Sequence, residues 1–192
     1  MKKYLAILML ATLAAACEKE SSQDLLIQNG SAAQQNNAGK QKITRPLKVE
    51  LFSSEDPDPS IPPTPCTGDL GIRNPGYFMH GNATHLGQLI SSNSRGQDTK
   101  CSFSFVDGLL RTEVKGQLAA ANGDLIYYTG IDVLDLNPLF VGGSEGTITG
   151  RWTITGGTGR FNGASGYFDF KGPLYFAPPA YFSFTGEGVI TY

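Results

Sequence analysis

The sequence predicts an all-β protein: an antiparallel barrel of about eight strands, with a two-sheet β-sandwich as the alternative. Three observations predict it. Past Gly76 the chain alternates apolar and polar residues with period two, the pattern of strands with one buried face. Glycine-rich turn signals separate these stretches, and further glycines recur on the inward face, where they let strands bend and a barrel taper. Beyond the N-terminal leader, no stretch of ten or more residues carries a helical period.

The chain opens "MKKYLAILMLATLAAAC". Lys2 and Lys3 form a basic start and Leu5 to Ala15 an apolar run. That run has the length of a secretory signal. It is too short to cross a bilayer core, which takes about 20 apolar residues. The small residues Ala14, Ala15 and Ala16 stand directly before Cys17. The segment resembles a bacterial lipoprotein signal and its lipobox, with one departure: Leu13 lies one place earlier than the usual large apolar residue, and Ala14 takes its position. The resemblance implies that residues 1–17 are a signal whose Cys17 receives lipid, and two or three acyl chains give a lasting anchor. The alternative is an ordinary secretory signal in which Cys17 is incidental. "EKESS" after the cysteine is similar to the short charged signals of surface-exported lipoproteins. The expected location is therefore the bacterial cell envelope, as an outer-membrane lipoprotein on its periplasmic or surface face.

Residues 18–45 are rich in Gln, Asn, Ser and Ala and contain no aromatic residue. Such a composition buries too little apolar surface to offset ordering entropy, so it reads as a flexible linker. One domain's worth of chain remains, residues 46–192, enough for a single core. "PLKVELF" (Pro46 to Phe52) is its first strand candidate. "SSEDPDPSIPPTPCTGD" follows, and its prolines fix φ and remove donors. It reads as a long ordered loop, or else as a second linker.

Later strands follow from alternation. Val114, Gly116 and Leu118 share one face of "EVKGQLA". Ile148, Gly150, Trp152 and Ile154 share one face of "TITGRWTIT"; Ala164, Gly166, Phe168 and Phe170 share one face of "ASGYFDF". Phe182, Phe184, Gly186, Gly188, Ile190 and Tyr192 share one face of the last strand. "ANGD" (Ala121 to Asp124) reads as a hairpin with a type I′ turn, because Asn-Gly tolerates positive φ. "GPLYFAPPAYF" (Gly172 to Phe182) reads as an aromatic loop that either contacts a ligand, partner or membrane, or folds over the barrel end.

"TGGTGRFNGASG" (Thr155 to Gly166) has the glycines of a phosphate loop. A phosphate loop, however, needs a helix after it, whose N-terminus faces the anion. Both flanks here alternate with period two. Gly156, Gly157 and Gly159 therefore read as turn residues with unusual φ. Phe161 is expected to plug the barrel end, and Arg160 to bond nearby carbonyls or a carboxylate.

This turn resembles that of the allene oxide cyclase and dirigent barrels and of a wider group of bacterial secreted domains. In those bacterial domains it is accompanied by "GNATHLGQ" (Gly81 to Gln88), "AANGD" (Ala120 to Asp124) and a terminal strand like "GVITY", all present here. The resemblance covers Gly76 to Tyr192. It implies an eight-stranded, calycin-like antiparallel barrel with an apolar lumen. It carries over no pocket residue, so neither isomerisation of a fatty-acid epoxide nor steering of phenoxy-radical coupling is assigned by it.

The formal net charge is −2 without a basic cluster, which argues against nucleic acid as partner. With Cys17 lipidated, Cys66 and Cys101 remain as a pair, and in an oxidising envelope such a pair usually bonds. A redox pair or metal site is the alternative, but no C-x-x-C or Cys/His spacing supports it. His80 and His85 are five apart and face opposite sides of a continuous strand, so no metal and no cofactor is expected. No nucleophile motif is present, and no catalytic residue is assigned. Glu145, Glu187, Asp124, Asp132 and Asp169 read as turn or outer-face residues. Thr84 and His85 at a barrel mouth, with Trp152, Phe168 and Phe184 in the lumen, are the candidate ligand-binding residues; the alternative is that Thr84 and His85 satisfy backbone groups at a barrel end, and that Trp152, Phe168, Phe170 and Phe184 fill the lumen of a purely structural barrel. The expected function is non-catalytic binding of a small hydrophobic ligand or a partner by a membrane-anchored barrel. A cyclase- or isomerase-type enzyme working in an apolar lumen is the alternative.

Overall fold

The computed structural model describes residues 41–67, 73–74, 76–177 and 180–192. The signal segment with Cys17 and residues 18–40 of the linker lie outside the described residues, as do Gly68 and Asp69 of the proline-rich stretch. Among the described residues, eleven strands follow in chain order: β1 Thr44–Asp58, β2 Thr64–Pro65, β3 Arg73–Asn74, β4 Gly76–Ala83, β5 Gly87–Gln88, β6 Arg95–Ser104, β7 Leu109–Ala119, β8 Leu125–Asp135, β9 Glu145–Gly157, β10 Ser165–Tyr175 and β11 Tyr181–Thr191. The long strands pair antiparallel in the order β1-β11-β10-β9-β8-β7-β6-β4, and β4 pairs back to β1. The strands thus form a ring, and the architecture is all-β and antiparallel.

The inward faces are those set by the alternation. Ile148, Trp152 and Ile154 of β9, Phe168 and Phe170 of β10, and Phe184 and Ile190 of β11 are all buried. Inward glycines make room for them. A Cβ at Gly116 would stand 2.5 Å from Tyr128 Cζ, and one at Gly150 would stand 2.6 Å from Phe170 Cζ. The bare backbone at these points lets a neighbouring ring occupy the volume.

Both described ends of the chain lie at one end of the ring. Ile43 and Tyr192 exchange backbone hydrogen bonds at 3.0 and 3.2 Å, and Lys42 Nζ donates to Gly163 O at 2.6 Å. β1 thus begins at Thr44, two residues inside the stretch that composition marks as linker. At the same end Phe161 is fully buried, packed edge-on against Tyr192 at 5.0 Å. Arg160 Nη2 donates to His85 O at 2.6 Å, and Arg160 N donates to Asp124 Oδ2 at 3.2 Å. The plug and the arginine act as expected.

Four local expectations are corrected. The segment Ser53–Asp58 continues β1 as a strand and is not loop. Its proline is tolerated because the ladder to β11 ends at Phe52, and beyond it only β4 pairs with β1, across a register shift between Ser53 and Pro57. An edge position needs no donor. The stretch Gly172–Phe182 is mostly strand: Leu174 pairs with Phe182 and Tyr175 with Tyr181. Pro173 fits because the β10–β11 ladder skips Gly172 and Pro173. The Asn-Gly hairpin is not type I′. Gly123 has φ 89° while Asn122 stays out of the positive region, and Gly123 N donates to Ala120 O. That is the arrangement of a turn followed by a left-handed glycine, with its bulge. Finally, Gly157 is a strand residue without positive φ, whereas Gly159 has φ 53°. Glycine is needed at 157 for room, since a Cβ there would stand 2.8 Å from Phe161 Cβ.

Residues 64–67 run along the edge of β6, with Thr67 bridged to Ser102. Thr67 N donates to Cys101 O at 2.8 Å and Phe103 N to Thr67 O at 3.0 Å. A disulfide joins Cys66 and Cys101, 35 residues apart in sequence. A loop of that length stabilises a fold by roughly 3–4 kcal/mol through the unfolded state. Replacing both cysteines by alanine is expected to lower the urea unfolding free energy by about that amount. A loss under ~1 kcal/mol would mean that the backbone bonds alone hold this segment.

Candidate functional site

The five residues expected to bind a ligand separate into two places. Thr84 is exposed at the turn after β4, where its Oγ1 accepts from Lys48 N at 2.8 Å and donates to Lys48 O at 3.0 Å. His85 is the one non-glycine residue with positive φ among the described residues, at 70°. Its Nε2–H donates to Pro46 O at 3.0 Å, which fixes the tautomer. Both side chains therefore serve the backbone and clamp the turn to β1.

Trp152, Phe168 and Phe184 belong to the core. Trp152 stacks on Tyr128 at 4.0 Å with planes 5° apart. Phe168, Phe170 and Phe184 surround it at 5.6, 5.4 and 5.4 Å between centroids, and Phe170 stacks on Phe184 at 4.1 Å. These are contact distances for aromatic rings. The rings pack against one another inside the ring of strands. His80 stands apart from His85, on the outer face, stacked on Phe52 at 5.1 Å. Among the described residues, no group of three or more His, Cys, Asp or Glu is placed to hold a metal.

One polar cluster lies inside the ring, and it corrects the reading of Asp132 as an outer residue. Asp132 is buried on β8, on the same face as Tyr128 and Gly130. Trp152 Nε1 donates to its Oδ1 at 2.8 Å. Asp98 of β6 and Thr112 of β7 are also buried. Burial pushes the Asp132 carboxyl up to about 7; the Trp152 bond opposes this and the Asp98 charge adds to it. The Tyr77 and Tyr128 hydroxyls nearby are raised well above their usual range, first by burial and then by their negatively charged neighbours. The signal for Asp132 was its parity with Tyr128. Asp98 carried none, because it stands beside a register shift between Asp98 and Lys100. Perturbed buried acids often mark functional sites. Here the acid accepts the indole N–H of Trp152.

Comparison with protein-family models, curated proteins and solved structures finds no match.

The Asp132 carboxyl makes stability depend on pH with a definite sign. Its folded value, near 7, lies above the unfolded value of about 3.9. The folded state thus keeps a proton that the unfolded state has released, and this contribution fades as pH rises through 7. Unfolding free energy is expected to fall by about 2–3 kcal/mol between pH 5 and pH 8. Asp132→Asn, which keeps an oxygen for Trp152, is expected to flatten that slope. An equal slope in the variant would assign the dependence to another group.

Proposed function

We propose that this chain is a lipid-anchored cell-envelope protein whose β-ring is a non-catalytic binding domain that works from its outer surface. The leader ending at Cys17 and the polar linker after it support the anchor. The observation that carries the outer-surface reading is the packed set Trp152, Phe168, Phe170 and Phe184 in the core. A barrel that carries a hydrophobe, or isomerises one, needs an apolar cavity of several hundred Å³. The resemblance to cyclase and dirigent barrels implies such a lumen, and these four rings stand in its place.

The outside offers more to a partner than the inside. At the end of the ring away from Thr44, the β6–β7 turn and the segment after β8 expose Phe105, Val106, Phe140 and Val141; Val106 is 99% exposed and Val141 86%. Phe105 and Phe140 lie 6.2 Å apart, so the apolar residues form one patch. Contiguous apolar surface of this kind is a common mark of contact sites.

The anchor is tested by mass spectrometry of protein purified from its host's envelope. The expected N-terminus is Cys17 bearing diacylglycerol, and Cys17→Ser is expected to move the protein from the membrane to the soluble fraction. A different cleavage point, or an unmodified cysteine, refutes the anchor. Native mass spectrometry of the same preparation reads the core. A bare mass is expected after exposure to fatty-acid and aromatic mixtures, and a retained hydrophobe would sink the outer-surface reading.

A further inference from the structure

The end of the ring away from Thr44 carries two apolar turns. Phe105 and Val106 stand between β6 and β7, and Leu139, Phe140 and Val141 stand between β8 and β9. Phe103, buried beneath them, meets the Phe105 ring at 4.8 Å and the Phe140 ring at 5.9 Å. The two phenylalanines are therefore seated on the fold, while Val106 and Val141 are almost free of neighbours. The turns are also tied to each other. Leu136 N donates to Gly108 O at 3.0 Å, and Asn137 Nδ2 donates to Asp107 O at 2.8 Å. They form one rigid apolar tip.

Backbone donors of this tip are answered from within. Gly108 N donates to Ser104 O at 2.9 Å and Leu109 N to Asp107 Oδ1 at 3.1 Å. Asn137 N donates to Asp135 Oδ1 at 3.0 Å. Val141 N and Gly143 N both donate to Pro138 O, at 3.2 and 2.7 Å, and Gly142 N donates to Leu139 O at 3.3 Å. A backbone donor taken into hydrocarbon is costly unless it is already bonded. These donors give up nothing by leaving water. Charge sets a second condition. Residues 136–144 hold no charged side chain. Asp107 is paired with Arg111 at 2.6 Å, and Asp135 and Glu145 stand at the base of the second turn. Acids outnumber bases at this end, so an anionic surface would be repelled.

We propose that this tip dips into a bilayer of zwitterionic lipid, with Val106 and Val141 among the acyl chains and the Asp107–Arg111 pair at headgroup level. A protein partner is met by apolar anchors set inside a polar rim. Here the most exposed side chains are apolar and stand at the summit of two turns. Fluid lipid takes such a shape without a matching pocket. A bilayer also lies within reach if Cys17 carries lipid. Between Cys17 and Thr44 there are 26 residues, and a chain of that length reaches up to about 90 Å. The 11-residue strand β7 spans about 36 Å. The linker is thus long enough for the far end of the ring to meet the bilayer that holds the anchor. The inference rests on the outer-surface reading above and names lipid as what the apolar patch contacts.

The test is fluorescence of the full chain purified from its host's envelope, carrying a polarity-sensitive nitrobenzoxadiazole label at Val106→Cys or, separately, at Asn122→Cys. Asn122 is exposed at the Thr44 end of the ring. Each protein is reconstituted in vesicles of phosphatidylethanolamine and phosphatidylcholine. The label at Val106 is expected to shift its emission to the blue and to be quenched by lipids brominated in the acyl chain. The label at Asn122 is expected to emit as in water. Adding Val141→Asp, at a position 86% exposed and so free of any packing role, is expected to return the Val106 label to water-like emission. Water-like emission at Val106 in the parent protein overturns the proposal, as does equal quenching at both labels. A blue shift without quenching also overturns it, because the patch would then face a second copy or another protein. So does quenching that appears only when anionic phosphatidylglycerol is added. Should the N-terminal mass show no lipid, the anchor falls, and the same labels are read on Cys17→Ser mixed with the vesicles. Quenching at Val106 then supports the lipid contact by itself, and its absence overturns it.

Discussion

Trp152 is the side chain around which the ring is arranged. Its faces and edges meet Tyr128 and three phenylalanines, and its one polar atom is answered by Asp132. A closed antiparallel sheet removes exposed edges, yet it also encloses a space that must be filled. An indole fills that space only if the facing backbone is bare and its N–H finds an acceptor. Gly130 and Gly150 meet the first condition: a Cβ on Gly130 would crowd Trp152 and one on Gly150 would crowd Phe170. Asp132 meets the second at the cost of burying an acid, which burial then holds largely protonated below pH 7.

The strand pattern was legible because each long strand is buried on one face, and period two survives in the sequence wherever that holds. It failed where a strand is paired on one side only. Pro57 sits in β1 past the point where β11 has left it, and proline chemistry read locally says loop. It failed again at Asn122-Gly123, where the dipeptide suits two hairpin geometries and the choice depends on Ala120 meeting Asp124 across the turn. Of the residues expected to bind a ligand, the aromatic three were correctly placed inside. Whether an inside is open depends on ring-to-ring distances between residues far apart in the chain, such as Trp152 and Phe184 or Tyr77 and Phe182, and no local pattern encodes that.

Charge on the outer face divides into two kinds. Arg151 and Asp169 face each other across β9 and β10 with two hydrogen bonds, at 2.6 and 2.7 Å, and Arg151 also lies 4.5 Å over the Tyr167 ring. Lys48–Glu187, Lys100–Glu113 and Arg111–Asp107 are likewise solvated pairs, with every side chain more than a third exposed. Such pairs contribute little, about 0–1 kcal/mol each. They keep exposed sheet faces charged and discourage sheet-to-sheet association.

Asp58–Arg95 belongs to the other kind. Its carboxylate is buried, and taking a carboxylate out of water costs several kcal/mol unless its lone pairs are answered. Ser60 answers one oxygen; the other has only the guanidinium at 3.4 Å. A pair serving stability alone would be expected to lie closer, with both oxygens bonded, as Arg151 and Asp169 are. The looser geometry stands at the seam where the β4–β6 ladder is shortest and where η1, Ser91–Asn93, crosses between strands. The ladder there is two residue pairs long, and Met79 N donates to Ser94 O at 2.8 Å just beyond it. Among the described residues, three buried side-chain atoms lack a hydrogen bond: Asp58 Oδ2 and Arg95 Nε at this seam, and Tyr77 Oη, which faces the core.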